Sequence, residues 1–488
     1  MRWRLLGLVL GPALAVAMYV WTVDTQPLLS PAGRATAAVA VWMACWWLSE
    51  ALPLAATALL PVALFPVLGI APLHAATAPY ANSIIFLFMG GFIIGLAMQR
   101  WELHRRIALL TLTAIGTQPR RLVAGFMLAA AILSMWISNT ATVILMLPIA
   151  VSVLAMLREH TPESADGGAS ADFSAFATTL VLGIAYAASI GGIGTLIGTP
   201  PNLVLASFLE QHYGVEVTML DWMRIGLPVV AIFLPITWWY LTRIAHPVHI
   251  AATPRGRELI AGELAKLGAM SRGEKLVLSV FTLVALGWIL RAPLSAWTGL
   301  SGLSDTVIGV GGALLMFVLP VDARQGIFVM DWQTAKALPW EILILFGGGL
   351  SLASAIAANG VDAWIASSLT GLETVPTVLA IVAVSALVVF LTEITSNTAV
   401  TTTLLPVFAA TALAAGLPAG MVLTAAALSA SCAFMLPVAT PPNAIVFSSG
   451  YVEVAQMARA GLWLNMISIV LISAVVFLGG YIVISNAP

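Results

Sequence analysis

Ser138-Asn139-Thr140-Ala141 is written a second time as Ser396-Asn397-Thr398-Ala399, and each copy is followed by Leu-Pro, at Leu147-Pro148 and Leu405-Pro406. Both matches are displaced by 258 residues. A second polar word is doubled as Thr199-Pro200-Pro201-Asn202 and Thr440-Pro441-Pro442-Asn443, at a displacement of 241. The chemistry open to these words is recognition rather than bond-making. A helix starting at Thr140 offers free backbone N–H groups and about half a positive charge, which suits a carboxylate. The half-helix that ends just before it offers free carbonyls, which suit a sodium ion. Ser396-Asn397-Thr398 repeats this, so two facing tips could hold an anion with two carboxylates, one per tip. Asn amides and Thr hydroxyls add directed donors without a buried Lys or Arg. In Thr-Pro-Pro-Asn, consecutive prolines remove two backbone donors and push the preceding residue out of helical geometry. Breaks are therefore expected near Gly198-Thr199 and Ala439-Thr440, exposing carbonyls beside the tips. Gly191, Gly192 and Gly194 loosen the first break further.

Composition sets the elements that must position these words. The 488-residue chain is 60% hydrophobic and 8% charged, with mean hydropathy +1.02, whereas soluble domains carry roughly 25% charged residues. Most of its length must sit in lipid, where only helices or closed barrels satisfy the backbone. Apolar runs such as 276–290 and 463–484 are long and unalternating, which fits helices of about 20 residues and not barrel strands. A net charge of −1 gives nothing to attract nucleic acid. Cys45 and Cys432 lie in apolar runs and build no disulfide framework, and six histidines without ligand spacing argue against a metal centre. Arg2, Arg4 and Ala15-Val16-Ala17 have features of a cleavable signal. Met18 to Trp21 nevertheless continues the apolar span, so an uncleaved first helix is the expectation.

Two of the apolar spans, 121–157 and 376–411, carry a Ser-Asn-Thr word in their middle. A continuous helix of that length would run roughly 54 Å, far beyond a hydrocarbon core of about 30 Å. Each is read as a re-entrant hairpin with its tip in protein or a watery cavity, leaving eleven crossings. With the N-terminus in the cytoplasm and the C-terminus outside, 17 of the 20 basic residues fall inside and only Arg34, Arg224 and Arg291 fall outside. Treating both hairpins as crossings would put the 243–275 loop outside. Five crossings separate matching points of the repeats, so the second copy is inverted. Residues 84–91 and 342–349 extend the match at the same displacement. The polar insertion around Arg158–Asp172 accounts for the shorter displacement of Thr-Pro-Pro-Asn. Inverted repeats with interrupted helices are the sequence sign of a secondary transporter with a midplane site.

A single Ser-Asn-Thr or Pro-Pro in a membrane helix is ordinarily packing or a kink; two words, each twice and in the same order, are not. Glu393 sits three residues before Ser396, where the first repeat has Met135. An intramembrane carboxylate is a functional candidate. It could couple a proton, balance a cation or bond to backbone as a structural acid, with the structural role placed first. An intramembrane enzyme would need an acid–base or metal constellation that Glu393 alone does not supply, so no catalytic residue is assigned. Glu50, Asp24 and Asp362 are expected at interfaces, the basic cluster from Arg100 to Arg121 as a topology anchor, and Trp3, Trp21, Trp42, Trp46, Trp47, Trp238 and Trp239 in interfacial belts and packing.

These words and breaks resemble the divalent anion/sodium symporter family, carriers of Krebs-cycle dicarboxylates, citrate or sulfate, over essentially the whole chain. The resemblance implies an all-α polytopic membrane fold of about eleven transmembrane helices plus two re-entrant hairpins in two inverted repeats, in a homodimer. It implies an elevator-type transporter, with a scaffold at 1–120 and 276–375, transport-domain parts at 121–243 and 376–488, and a cytoplasmic linker at 244–275. By motif position it implies substrate contacts from Asn139, Thr140, Thr199, Asn397, Thr398, Thr440 and Pro441. It implies a first sodium site from Ser134, Ser138, Asn139 and the Gly198 carbonyl, and a second from Thr392, Thr395, Ser396, Asn397 and the Ala439 carbonyl. Intact Ser-Asn-Thr words favour a C4-dicarboxylate such as succinate, fumarate or malate, imported across the inner membrane with sodium as coupling ion. A sodium-independent exchanger, or a citrate or sulfate carrier of the same fold, is the alternative. No cofactor is implied.

Overall fold

In a chain this apolar the backbone must pair with itself, and long helices are the result. The computed structural model describes residues 2–23, 29–116, 118–158, 168–248, 255–368 and 375–479. Among the described residues eight helices are long and apolar enough to cross a membrane, and Arg272–Ile289 with Arg291–Thr298, bent by 82°, makes a ninth. Of the remaining crossings of the sequence reading, 33–50 is one continuous helix, Pro31–Ser49, and the others are short or broken. The span expected at 52–69 divides into Leu54–Thr57 and Leu60–Val67. At that division Tyr80 Oη donates to the Ala58 carbonyl, and Trp47 Nε1 donates to the Leu54 carbonyl at 3.1 Å. Tyr80 thus takes over a carbonyl that a continuous helix would satisfy itself, while the Leu54 carbonyl also keeps its helical bond from Ala58 N at 3.0 Å. The chain is not purely helical, since Pro320–Asp322 pairs antiparallel with Ile327–Phe328.

The duplication is structural as well as lexical. Pro119–Ser134 and Thr377–Thr392, the first arms of the two hairpins, begin and end 258 residues apart. The second arms, Asn139–Arg158 and Asn397–Ala414, begin at that displacement too. Ser83–Arg100 and Trp340–Ala358 are a further related pair. Each carries a glycine where another backbone comes close, and the two glycines are also 258 apart. A Cβ on Gly90 would lie 2.7 Å from the Gly309 carbonyl carbon, and one on Gly348 would lie 2.3 Å from the Ala58 carbonyl oxygen. Only glycine permits that approach.

One element was hidden in the basic cluster. Leu103–Ile115 is an amphipathic helix that buries Leu103, Ala108, Leu109 and Leu112. Arg106 Nε donates to Glu274 Oε1 at 2.6 Å and Arg105 Nη2 to Glu263 Oε2 at 2.8 Å. These two arginines are therefore tied to the stretch after residue 255, in addition to any part they play as topology anchors. The Lys266 ammonium beside it, with Arg105, holds the Glu263 carboxyl below the usual carboxylate range despite partial burial. Asp24 and most of the insertion after Arg158 lie outside the described residues.

A candidate anion and cation site between the hairpin tips

Both hairpin tips and both broken helices open on one cavity of about 1350 Å³. Its lining includes Ser138-Asn139-Thr140, Gly198-Thr199-Pro200, Thr395-Ser396-Asn397-Thr398 and Ala439-Thr440-Pro441. All seven residues expected at the substrate line it, as do all the expected sodium ligands except Ser134 and Thr392, which are fully buried behind the tips.

Four helix N-termini meet here. Asn139–Arg158 and Asn397–Ala414 begin at the tips, and Pro200–Tyr213 and Pro441–Ser448 begin at the two breaks. The pairs differ in what they can donate. At the first tip, Ser138 Oγ accepts from Ala141 N at 3.2 Å and the Ser138 carbonyl accepts from Thr142 N at 3.0 Å. Ser396 does the same for Ala399 and Val400, at 3.5 and 2.9 Å. Each tip thereby caps its own helix and leaves the N–H groups of residues 139–140 and 397–398 without a protein partner among the described residues. At the breaks, prolines occupy the first two helical positions and carry no N–H. The third donor, Asn443 N, is taken by Thr440 Oγ1 at 3.3 Å. The breaks thus contribute dipole, hydroxyl groups and apolar ring surface, and the tips contribute the free N–H donors.

The breaks are longer than the prolines alone require. The first runs from Ile193 to Thr199 and the second from Ser431 to Thr440. What shapes them is the Asn closing each word. Asn202 Nδ2 donates to the carbonyls of Gly192 and Thr195, at 3.1 and 2.8 Å. Asn443 Nδ2 donates to Ala433 and Leu436, both at 3.1 Å. The partners lie ten and seven residues upstream in both cases, and both Asn residues are fully buried. The sequence reading recognised the word and assigned nothing to its Asn; the repetition of that residue was the available signal. Each loop is also held from behind at equivalent carbonyls. Trp222 Nε1 donates to Ile193 and Tyr186 Oη to Phe434, both at 2.8 Å.

Oxygen atoms suited to a cation cluster at each tip. Ser134 Oγ donates to Asn139 Oδ1. The point a Cβ on Gly192 would occupy is 2.8 Å from Asn139 Oδ1 and 3.1 Å from the Gly198 carbonyl oxygen. At the second tip, Thr392 and Thr395 hydroxyls donate to main-chain carbonyls at 3.0 and 2.7 Å, which leaves their lone pairs available. Asn397 Oδ1 is buried without a hydrogen-bond partner in the protein, a costly state that a cation would relieve. Glu393 stays behind this tip and outside the cavity lining.

The opposite wall is one the sequence reading did not anticipate. It comprises Leu6, Gly7, Leu10 and Leu14 of the N-terminal helix, Cys45, Leu48, Ser49 and Glu50 at the end of Pro31–Ser49, and Glu341 and Leu345. Glu50 caps its helix with φ 47° and accepts from Arg4 Nη2 at 3.1 Å.

The family model for the sodium:sulfate symporter transmembrane region matches residues 4–485. The sodium-dependent dicarboxylate transporter SdcS of Staphylococcus saprophyticus is 42% identical over 482 residues, covering 97% of this chain and 91% of its own length. SdcS of Staphylococcus aureus strain USA300 is 41% identical over 477 residues, with the same two shares covered. The solved structure of the Alcanivorax borkumensis YdaH transporter matches across the full length of both chains with a TM-score of 0.53 at 15% identity, a likeness of fold.

Proposed function

We propose that this chain, which belongs to the sodium:sulfate symporter family, imports C4-dicarboxylates such as succinate, fumarate or malate together with sodium. The observation that carries the reading is the pair of tips, each presenting two free N–H groups and an Asn-Thr pair to one cavity. A dianion with a carboxylate at either end suits two such sets of donors. Asn139, Thr140, Asn397 and Thr398 bind the carboxylates, and Thr199, Thr440 and Pro441 close around the carbon chain. Sodium at the first tip takes Ser134, Ser138, Asn139 and the Gly198 carbonyl. Sodium at the second takes Thr392, Thr395, Ser396, Asn397 and the Ala439 carbonyl. The ions offset the dianion's charge, so the loaded carrier crosses a low-dielectric barrier that a partly loaded one does not. The names of the two Staphylococcus relatives support the substrate class and the coupling ion.

Movement follows the elevator scheme within a homodimer, the hairpins and broken helices travelling against a scaffold formed from residues 1–120 and 276–375. The cavity's outer wall is made from the ends of helices that carry Arg4 and Glu341. By the positive-inside assignment these ends face the cytoplasm, so the arrangement is inward-open and substrate leaves along the N-terminal helix. Bonds that would have to part as the transport domain rises include His212 Nε2 with the Ala353 carbonyl, at 3.1 Å, and Ser83 Oγ with Glu210 Oε2, at 3.3 Å.

Uptake of labelled succinate into proteoliposomes tests the reading. It should require an inward sodium gradient, and Asn139→Ala or Thr398→Ala should abolish it while the protein stays folded. Equal uptake in choline or potassium would eliminate symport. Competition by sulfate or citrate, in preference to fumarate, would reassign the substrate within the family.

A further inference from the structure

Glu393 is 3% exposed, and it forms no ion pair among the described residues. Its carboxylate is held entirely by neutral donors. Oε1 accepts from Phe434 N at 2.7 Å, Met435 N at 2.9 Å and Asn465 Nδ2 at 2.7 Å, and Oε2 accepts from Leu436 N at 3.0 Å. The three backbone donors are consecutive and belong to the break loop that ends at Ala439-Thr440. The first repeat ties the same two positions by weaker means: Thr195 Oγ1 donates to the main-chain carbonyl of Met135. Met135 and Glu393 are 258 apart, and Thr195 and Leu436 are 241 apart. Only the second repeat uses a full negative charge.

Of the roles open to an intramembrane carboxylate, this geometry favours a fixed charge over a proton carrier. Oε1 takes three bonds and Oε2 one, all from neutral donors, and donors directed at a carboxylate favour its ionised form. Four directed donors solvate the charge in place of water. We propose that Glu393 is a positioning residue for the cation at the second tip. By fixing residues 434–436 against the hairpin it sets where the Ala439 carbonyl stands relative to Asn397 Oδ1, the buried amide oxygen without a protein partner. Its charge adds attraction for a cation to a site whose own ligands are neutral. The proposal rests on the reading that the cavity takes sodium, and it assigns the two tips unequal shares in holding that ion.

The test uses purified full-length protein and two measurements: the sodium-induced rise in melting temperature without substrate, and the sodium dependence of succinate uptake in proteoliposomes. Glu393→Gln keeps the side chain's size, removes the charge and sets an amide donor against a backbone donor. It should raise the half-saturating sodium concentration about tenfold and flatten the sodium dependence. The succinate KM at saturating sodium should move less than about twofold, a split that general loosening of the fold would not produce. Asn465→Leu keeps the charge and the three backbone bonds, so it should shift sodium in the same direction by about threefold. Wild-type sodium half-saturation in Glu393→Gln, or equal shifts for sodium and succinate, would overturn the proposal alone. If Glu393→Gln does not fold, an unchanged sodium response in Asn465→Leu overturns it. A wild-type protein whose melting temperature and uptake ignore sodium would overturn the symport reading as well.

Discussion

Replacing Asn443 by Asp tests whether the duplicated Asn is what shapes the break. The two side chains have nearly the same volume, but the Asn amide nitrogen donates at 3.1 Å to the Ala433 and Leu436 carbonyls. An ionised Asp would point a carboxylate oxygen at two carbonyl oxygens in a fully buried position. Two hydrogen bonds are lost at about 1 kcal/mol each, and leaving their carbonyls unpaired adds about 1–3 kcal/mol. Taking up a proton removes the charge and restores one bond, at the cost of protonating a carboxylic acid near neutral pH, so a net cost of about 3–5 kcal/mol is expected. Asn443→Leu leaves the same two carbonyls unpaired without burying a charge and should fall at the lower end of that range, about 3 kcal/mol. Thermal unfolding in detergent, followed by intrinsic fluorescence, reads the difference as a drop of roughly 4–8 °C for Asp and less for Leu. Uptake should fall in the same order, since the loop carries the Ala439 carbonyl and Thr440. An Asp variant melting within about 1 °C of wild type, or one more stable than the Leu variant, would refute the assignment of the loop's shape to this amide.

Two further outcomes follow from contacts already described. Gly192→Ala places a methyl 2.8 Å from Asn139 Oδ1 and 3.1 Å from the Gly198 oxygen, so it should cost about 1–3 kcal/mol in stability and raise half-saturating sodium about fivefold or more by displacing two ligand oxygens. A wild-type sodium titration in that variant would remove the first cation from this spot. Away from the cavity, Arg106→Gln should destabilise by about 2 kcal/mol, because the guanidinium bonds both Glu274 oxygens and the Gly268 carbonyl in a largely buried pair. Arg105→Gln removes a more exposed pair and should cost less than about 1 kcal/mol; melting curves of the two variants decide the order.

The parts of this fold that were legible in the sequence were those written twice. The Ser-Asn-Thr words located both helix breaks at residues 135–138 and 393–396, because a capping Ser followed by an apolar run has a local meaning. The prolines marked the starts of the helices at Pro200 and Pro441 for the same reason. The upstream ends of the breaks, at Gly192 and Ala430, were not legible, since they depend on the amides of Asn202 and Asn443, ten and thirteen residues further along the chain. The helix Leu103–Ile115 was missed because its period of apolar residues competes with Arg105 and Arg106 at the start of the same stretch, which drew a topological reading. The cavity's far wall, from Leu6 to Leu14, is drawn from a helix whose sequence is uniformly apolar and carries no positional signal at all. Glu393 was visible as an anomaly, but its partners at Phe434, Met435, Leu436 and Asn465 lie more than forty residues away and only tertiary structure joins them.

Comparing the halves separates what faces the cavity from what stands behind it. The facing atoms are chemically the same in both: a capping Ser, two free N–H groups, an Asn amide, a Thr hydroxyl, and a Thr-Pro-Pro entry to the next helix. The supporting contacts have diverged. Met135 answers to Glu393, Thr195 to Leu436, Trp222 to Tyr186 in holding the equivalent carbonyls of Ile193 and Phe434, and Gly192 to Ala433. The last exchange explains itself once the backbone is followed. The first broken helix continues to Gly192, whereas the second ends at Ala430, three residues before the position equivalent to Gly192. The early ending frees the N–H groups of residues 434–436 to turn toward Glu393 and moves Ala433 off the helical path that would press its Cβ against the tip. Charge, loop length and a side chain on residue 433 therefore form one solution, while a hydroxyl, a longer helix and a glycine form the other. Exchanging a single member of either set, such as Ala433→Gly or Met135→Glu alone, is therefore expected to destabilise the tip it supports.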